Sequence, residues 1–131
     1  MNAAPKRKQD EHASEGKTPC PAQLTLSLIA NKWSLGIIHA LVITPSNTLR
    51  FGELMRLVGK ITQRELTKQL REFEKSGLVM RTSYPEVPPR VEYRLTKLGL
   101  SLEGPVEALN DWAAEHGRAI IKNREKYSEQ E

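Results

Sequence analysis

The chain has 131 residues, enough for one domain with tails around a single buried core. Twenty Lys+Arg against sixteen Asp+Glu leave a formal charge of +4, an excess compatible with nucleic acid or an anionic surface and proof of neither. No apolar run reaches the ~18 residues of a membrane span, and no apolar leader follows the charged N-terminus, so neither a membrane partner nor export is expected.

Residues 1–18 are polar and aperiodic, which predicts a disordered arm. Its Lys6, Arg7 and Lys8 are placed to touch phosphates or simply to be solvated. Order is expected from Pro21, a residue suited to the first turn of a helix, with Cys20 at or near the N-cap. That helix runs to about Asn31, with Leu24, Leu28 and Ile29 on one side. A second, from about Lys32 to Val42, has a broad apolar face of Trp33, Ile37, Ile38 and Leu41, and Pro45 blocks its continuation. Thr48-Leu49-Arg50 reads as a short strand. Phe51 to Val58 reads as a short third helix, with Leu54, Leu57 and Val58 inward.

The stretch ITQRELTKQLREFEKSGL, Ile61 to Leu78, reads as one helix with both ends marked. Thr62 and Glu65 have the spacing of a capping box, and Ile61 is placed to staple onto Leu66. Gly77 suits the left-handed residue past the C-terminus, with Phe73 and Leu78 set for the apolar contact of a Schellman motif. Leu66, Leu70 and Phe73 share one face; Arg64, Lys68, Arg71 and Lys75 fall on the opposite one, with Gln63 and Thr67 beside them. Glu65, Glu72 and their lysine neighbours make favourable pairs, as on a solvated helix face. The like-charged neighbours Arg64–Lys68, Lys68–Arg71 and Arg71–Lys75 cost about as much, and an external polyanion accounts for such a row.

Two short helices joined by Gly59-Lys60 have helix-turn-helix spacing. The period then changes: Leu78–Thr82 and Arg90–Leu95 are strand-like and flank the proline-rich loop Ser83–Pro89. Helix, helix and hairpin is the order of a winged helix. Thr96 is a natural N-cap for the next segment, where Leu98, Leu102, Val106, Leu109, Ala113, His116 and Ile120 recur at steps of three or four. Gly104-Pro105 should kink it, or break it with a new helix starting at Pro105, and beyond about Lys122 a charged tail over 123–131 is expected. The predicted fold is α+β, mostly α: a three-helix core with a β-hairpin wing over residues 19–122, with extra helices at both ends.

The sequence resembles the HxlR-type winged helix-turn-helix transcriptional regulators. The matching residues are Cys20-Pro21, Lys32-Trp33, Arg50-Phe51 with Glu53-Leu54, then Leu66, Leu70 and Gly77-Leu78-Val79 with Arg81. Pro88-Pro89-Arg90-Val91-Glu92-Tyr93, Leu95-Thr96, Leu109 and Trp112 follow in order, so the match covers about residues 19–116. Gly104-Pro105 departs from the pattern. The resemblance implies a bacterial, homodimeric DNA-binding regulator dimerised through its first and last helices. It also implies that the helix from Thr62 enters the major groove while the wing approaches the backbone or minor groove.

In such a motif the start of the recognition helix meets base edges, so Gln63, Arg64, Thr67 and Lys68 are the expected readers of double-stranded DNA. Arg71, Arg81 and Arg90 are expected on phosphates, although Arg90 beside Glu92 also suits a cross-strand pair and Arg81 a strand edge. Leu24, Leu28, Leu109, Trp112 and Ile120 form more apolar surface than a small winged helix can cover, and they are the expected dimer interface. Trp33 and Trp112 suit core or interface, with a Trp-lined ligand pocket as the alternative, and the residues leave a small-molecule effector open. A thiol at a helix N-terminus feels the positive end of the dipole, and Lys17 is near, which makes Cys20 a candidate redox sensor; it is equally a small packing residue. Some members of the resembled family use a cysteine at this place to sense oxidants or electrophiles. As the single cysteine it excludes an intramolecular disulfide and fits a reducing cytoplasm. Scattered His12, His39 and His116 suggest no metal or cofactor, and no catalytic pair points to an enzyme. The alternative function is a winged-helix protein-protein interaction module that turns its basic face to acidic partners.

Overall fold

A computed structural model describes residues 20–130; the expected arm over 1–18, with Lys6, Arg7, Lys8 and Lys17, lies outside the described residues. The chain divides into two units, residues 1–32 and 33–131. In the first, α1 (Pro21–Ile29) starts with its proline in the first turn and an extended Cys20 as N-cap, two residues shorter than expected at its end. None of its residues is buried.

The second unit contains α2 (Ser34–Ile43), β1 (Thr48–Arg50), α3 (Phe51–Val58), α4 (Gln63–Lys75), β2 (Val79–Tyr84), β3 (Arg90–Leu95), α5 (Lys97–Leu100) and α6 (Glu103–Gln130). Trp33, expected on the apolar face of α2, is its half-buried N-cap instead. After α2, Asn47 turns the chain with φ 54, a region that asparagine tolerates. Its side-chain amide donates to the Leu41 carbonyl at 3.0 Å, and so supplies a partner to an orphan carbonyl at the helix end. That turn delivers β1 to the sheet, whose order is β1-β3-β2, all antiparallel, with Leu49 opposite Tyr93 and Val79 opposite Leu95.

The core lies between the helices and one face of the sheet. Ile37, Ile38 and Leu41 of α2 meet Leu54 of α3, Leu66, Leu70 and Phe73 of α4, and Val79, Tyr93 and Leu95 of the strands in the buried set. Burial of each large aliphatic or aromatic side chain contributes about 1.5–3 kcal/mol. The α3 helix corrects one expectation: Leu57 is 55% exposed. Phe51, Leu54, Met55 and Val58 form the inward stripe at i, i+3, i+4 and i+7, and Leu57 flanks it.

A new helix does start near the Gly104-Pro105 step, but two residues before the expected Pro105. The interruption falls earlier, after the short α5, which Thr96 caps by accepting from the Gly99 amide at 3.0 Å. α6 begins at Glu103, so Pro105 sits in a first turn where its missing N–H needs no acceptor. The residues expected as a tail from 123 continue this helix to Gln130. Val106 anchors α6 in the core, and Asn110 bonds His39 of α2 at 3.0 Å.

Candidate nucleic-acid interface

Both ends of α4 are fixed by local chemistry. The Thr62 amide donates to Glu65 Oε1 at 3.0 Å, and the Glu65 amide donates to Thr62 Oγ1 at 3.1 Å. At the other end Gly77 takes φ 77, the Leu78 amide donates to the Phe73 carbonyl at 2.9 Å, and the Gly77 amide to that of Glu74 at 3.1 Å. Those two bonds are the Schellman pattern, and they turn the chain directly into β2. Ile61, Leu66, Leu70 and Phe73 are buried. Gln69 is buried as well, which the sequence did not signal, because a polar side chain carries no periodic mark.

Docked by that side, α4 turns its other face outward. Gln63, Arg64, Thr67, Lys68 and Arg71 line one open concavity of about 600 Å³. No ion pair is found for Arg64, Lys68 or Arg71 among the described residues, whereas Lys75 lies 3.5 Å from Glu72. A second concavity joins Arg71 to Arg81 of the wing, with Phe51, Gln63, Thr67, Glu74 and Tyr93 around it. The fold therefore carries the cationic row from helix to hairpin, and it places Arg81 where strand pairing with Tyr93 leaves it exposed.

Arg90 has a different setting. Its Nη2 is 3.0 Å from Glu86 Oε2, its Nη1 is 3.6 Å from Glu92 Oε2, and its guanidinium carbon lies 4.0 Å from the centroid of the Tyr84 ring. Its side chain is only 26% exposed. The expected phosphate contact is thus already engaged by two carboxylates. Sequence order could not show that the loop carrying Glu86 folds back beside Arg50, Phe51 and Gly52 at the start of α3, because that juxtaposition joins segments distant in the chain.

The remaining candidates do not line either concavity. Leu109 and Trp112 on α6 are 43% and 54% exposed, Ile120 is half-buried, and Trp112 stacks obliquely on His116 with ring centroids 5.6 Å apart. On α1, Leu24 is exposed and Leu28 half-buried. Cys20 is a free, exposed thiol at the α1 N-cap. No cluster of His, Cys, Asp or Glu suited to a metal occurs among the described residues, and no single described helix is long and apolar enough to cross a membrane.

Comparison with known proteins agrees with this geometry. The HTH-type transcriptional regulator YdeP of Bacillus subtilis is 38% identical over 86% of this chain and 85% of its own length. The redox regulator HypR in its oxidised form shares 41% identity, with a TM-score of 0.67 over 73% of this chain and 96% of that one. The reduced form of the transcriptional regulator YodB from B. subtilis shares 32%, with a TM-score of 0.61 over 73% and 92%. Residues 28–120 match the family described as HxlR-like helix-turn-helix. An exposed basic helix beside a wing, on a scaffold shared along most of its length with such regulators, is a transcription-regulator fold and not an enzyme: the chain belongs to the HxlR-like helix-turn-helix family.

Proposed function

We propose that this chain is a sequence-specific regulator of transcription that binds double-stranded DNA as a homodimer on an inverted repeat. The observation that carries the reading is the outward face of α4, where five DNA-compatible side chains line one open concavity while the opposite face is locked in the core. Gln63 suits adenine, Arg64 guanine, and Thr67 a thymine methyl or a phosphate; Lys68 adds a further base or phosphate contact. Arg71 and Arg81 hold phosphate and fix the register of the helix in the groove.

The half-exposed apolar face of α6, with Leu109, Trp112 and Ile120, and the apolar residues Leu24 and Leu28 of α1 supply the dimer contacts. Two-fold symmetry then sets two recognition helices about one DNA turn apart, ~34 Å, or a multiple of it. Cys20 is the responsive thiol in this reading, supported by its exposure at a helix start and by likeness to a protein named a redox regulator. No second cysteine exists in the chain, so oxidation yields a sulfenic acid, a mixed disulfide or a bridge between subunits.

The test is duplex affinity across a salt series, with sequences selected from fragmented genomic DNA. Affinity should fall with log–log slope about −0.9 per neutralised phosphate. Arg64→Ala with Lys68→Ala should abolish discrimination between selected and random duplex while leaving the fold intact. Unchanged selectivity in that double variant removes α4 from recognition; weak, salt-insensitive duplex binding favours an acidic protein partner instead.

A further inference from the structure

The wing presents an electrostatic contradiction if all its charges are read as DNA contacts. From Tyr84 to Glu92 its only cation is Arg90, set against Glu86 and Glu92, so the tip region carries one more negative charge than positive. The hairpin end thus brings no unpaired cation of its own to DNA; the exposed Arg50 beside it belongs to the start of α3. The loop also carries a fully open apolar side chain: Val87 is 99% exposed and is followed by Pro88 and Pro89.

The same three charges make sense as a clamp. Tyr84 and Arg90 are the last cross-strand pair of the hairpin, and the guanidinium lies over the ring. Glu86 reaches Arg90 from the loop and Glu92 from one turn of the pleat further along β3. The Glu86 amide also donates to the Tyr84 carbonyl at 2.8 Å. One guanidinium thus ties the end of β2, the loop and β3 together. Its Nε is buried without a hydrogen-bond partner, which marks a side chain packed down on the hairpin rather than extended for a ligand. Reaching a phosphate would cost Arg90 both carboxylates and the ring. Each half-exposed pair alone is weak, but a planar fork shared between two acids and an aromatic face is the arrangement in which arginine holds geometry best.

We propose that Arg90 is a positioning residue: with Glu86, Glu92 and Tyr84 it locks the wing so that the apolar Val87 tip is presented to DNA at a fixed place, and it makes no phosphate contact itself. The proposal rests on the DNA-binding reading above. It deepens that reading by assigning the wing a rigid, apolar contact in place of a cationic one.

The two roles of Arg90 predict opposite signs for Glu86→Gln. Removing a carboxylate near DNA strengthens binding on electrostatic grounds alone. Loosening a clamp weakens it by about two- to tenfold, the affinity equivalent of ordering one flexible side chain on binding. The experiment measures duplex affinity and salt slope for the native protein, Glu86→Gln, Arg90→Lys and Arg90→Gln, together with backbone hydrogen exchange over residues 84–92 without DNA. The expected result is weaker binding with unchanged slope for Glu86→Gln, equal losses for Arg90→Lys and Arg90→Gln, and faster exchange in the hairpin. Tighter or unchanged binding by Glu86→Gln overturns the proposal. So does a slope reduced by about one phosphate in Arg90→Gln with native affinity in Arg90→Lys. Glu86 is about half exposed, so its variant decides the matter even where the arginine variants fold poorly. A native protein without salt-sensitive duplex binding removes the DNA reading itself, and the exchange comparison then still decides whether Arg90 holds the hairpin.

Discussion

Thr62 and Glu65 close on one another at the start of α4, each backbone amide satisfied by the other's side chain, at 3.0 and 3.1 Å. The pair fixes the first turn, where Gln63 and Arg64 are presented. Thr62→Ala should therefore cost about 1 kcal/mol of stability, a lowering of Tm by roughly 3–5 °C in a domain of this size. Glu65→Gln preserves the box and should change the melt little. Calorimetry on both variants checks this, and an unaltered melt for Thr62→Ala means that the cap contributes nothing.

Arg71 and Arg81 share a concavity and are proposed to hold phosphate rather than bases. Replacing either with alanine should weaken selected and random duplexes alike and lower the salt slope by about 0.9. Arg64→Ala should differ in kind, costing about 1–3 kcal/mol on the selected sequence with relaxed preference at one base pair. Affinity measured over a panel of single-base operator variants separates the two patterns.

Gly99 packs directly beneath the hairpin's entry. A Cβ there would collide with the Leu78 carbonyl oxygen and press on a Leu95 methyl. Backbone cannot yield as a flexible side chain does. Gly99→Ala should destabilise the fold by about 1–3 kcal/mol from overpacking, less up to ~1 kcal/mol gained in helix propensity. Chemical denaturation is the measurement; a variant as stable as the native protein would mean that α5 shifts freely.

Trp112 is more than half exposed in the single chain, so cutting it back leaves little cavity within the subunit. Trp112→Ala should weaken the proposed dimer by about thirtyfold or more, in line with the ≥2 kcal/mol typical of an aromatic hot spot, with a nearly unchanged monomer fold. Sedimentation at micromolar concentration distinguishes the species. A native protein that is monomeric there, yet binds an inverted repeat normally, removes the dimer from the mechanism.

Cys20 begins the first described helix and is exposed. Mild oxidation with peroxide or diamide should alter operator affinity of the native protein and leave Cys20→Ser unaffected. Because the DNA grooves set the spacing of two recognition helices, a shift of a few ångströms between subunits loses both half-sites together. Identical responses from the two proteins reduce Cys20 to a packing residue.

The amino-acid sequence by itself determined the elements whose signals are local. The two ends of α4 follow from Thr62, Glu65 and Gly77 within a few residues of the bonds they make, and its two faces follow from a 3.6-residue period. The strands and the Thr96 cap were legible for the same reason. Tertiary structure decided whatever depends on partners distant in the chain. It exposed Leu57 beside a narrow stripe, buried Gln69, and set Gly99 against a carbonyl twenty-one positions back. It moved the helix break from Gly104-Pro105 to the residues before Glu103, since a proline is harmless in a first turn, and it buried Val106 one position further on. It also folded Glu86 back onto Arg90. Charge type is written in the sequence, but whether a charge faces an outside polyanion or a neighbouring carboxylate is a matter of distances set by the whole fold.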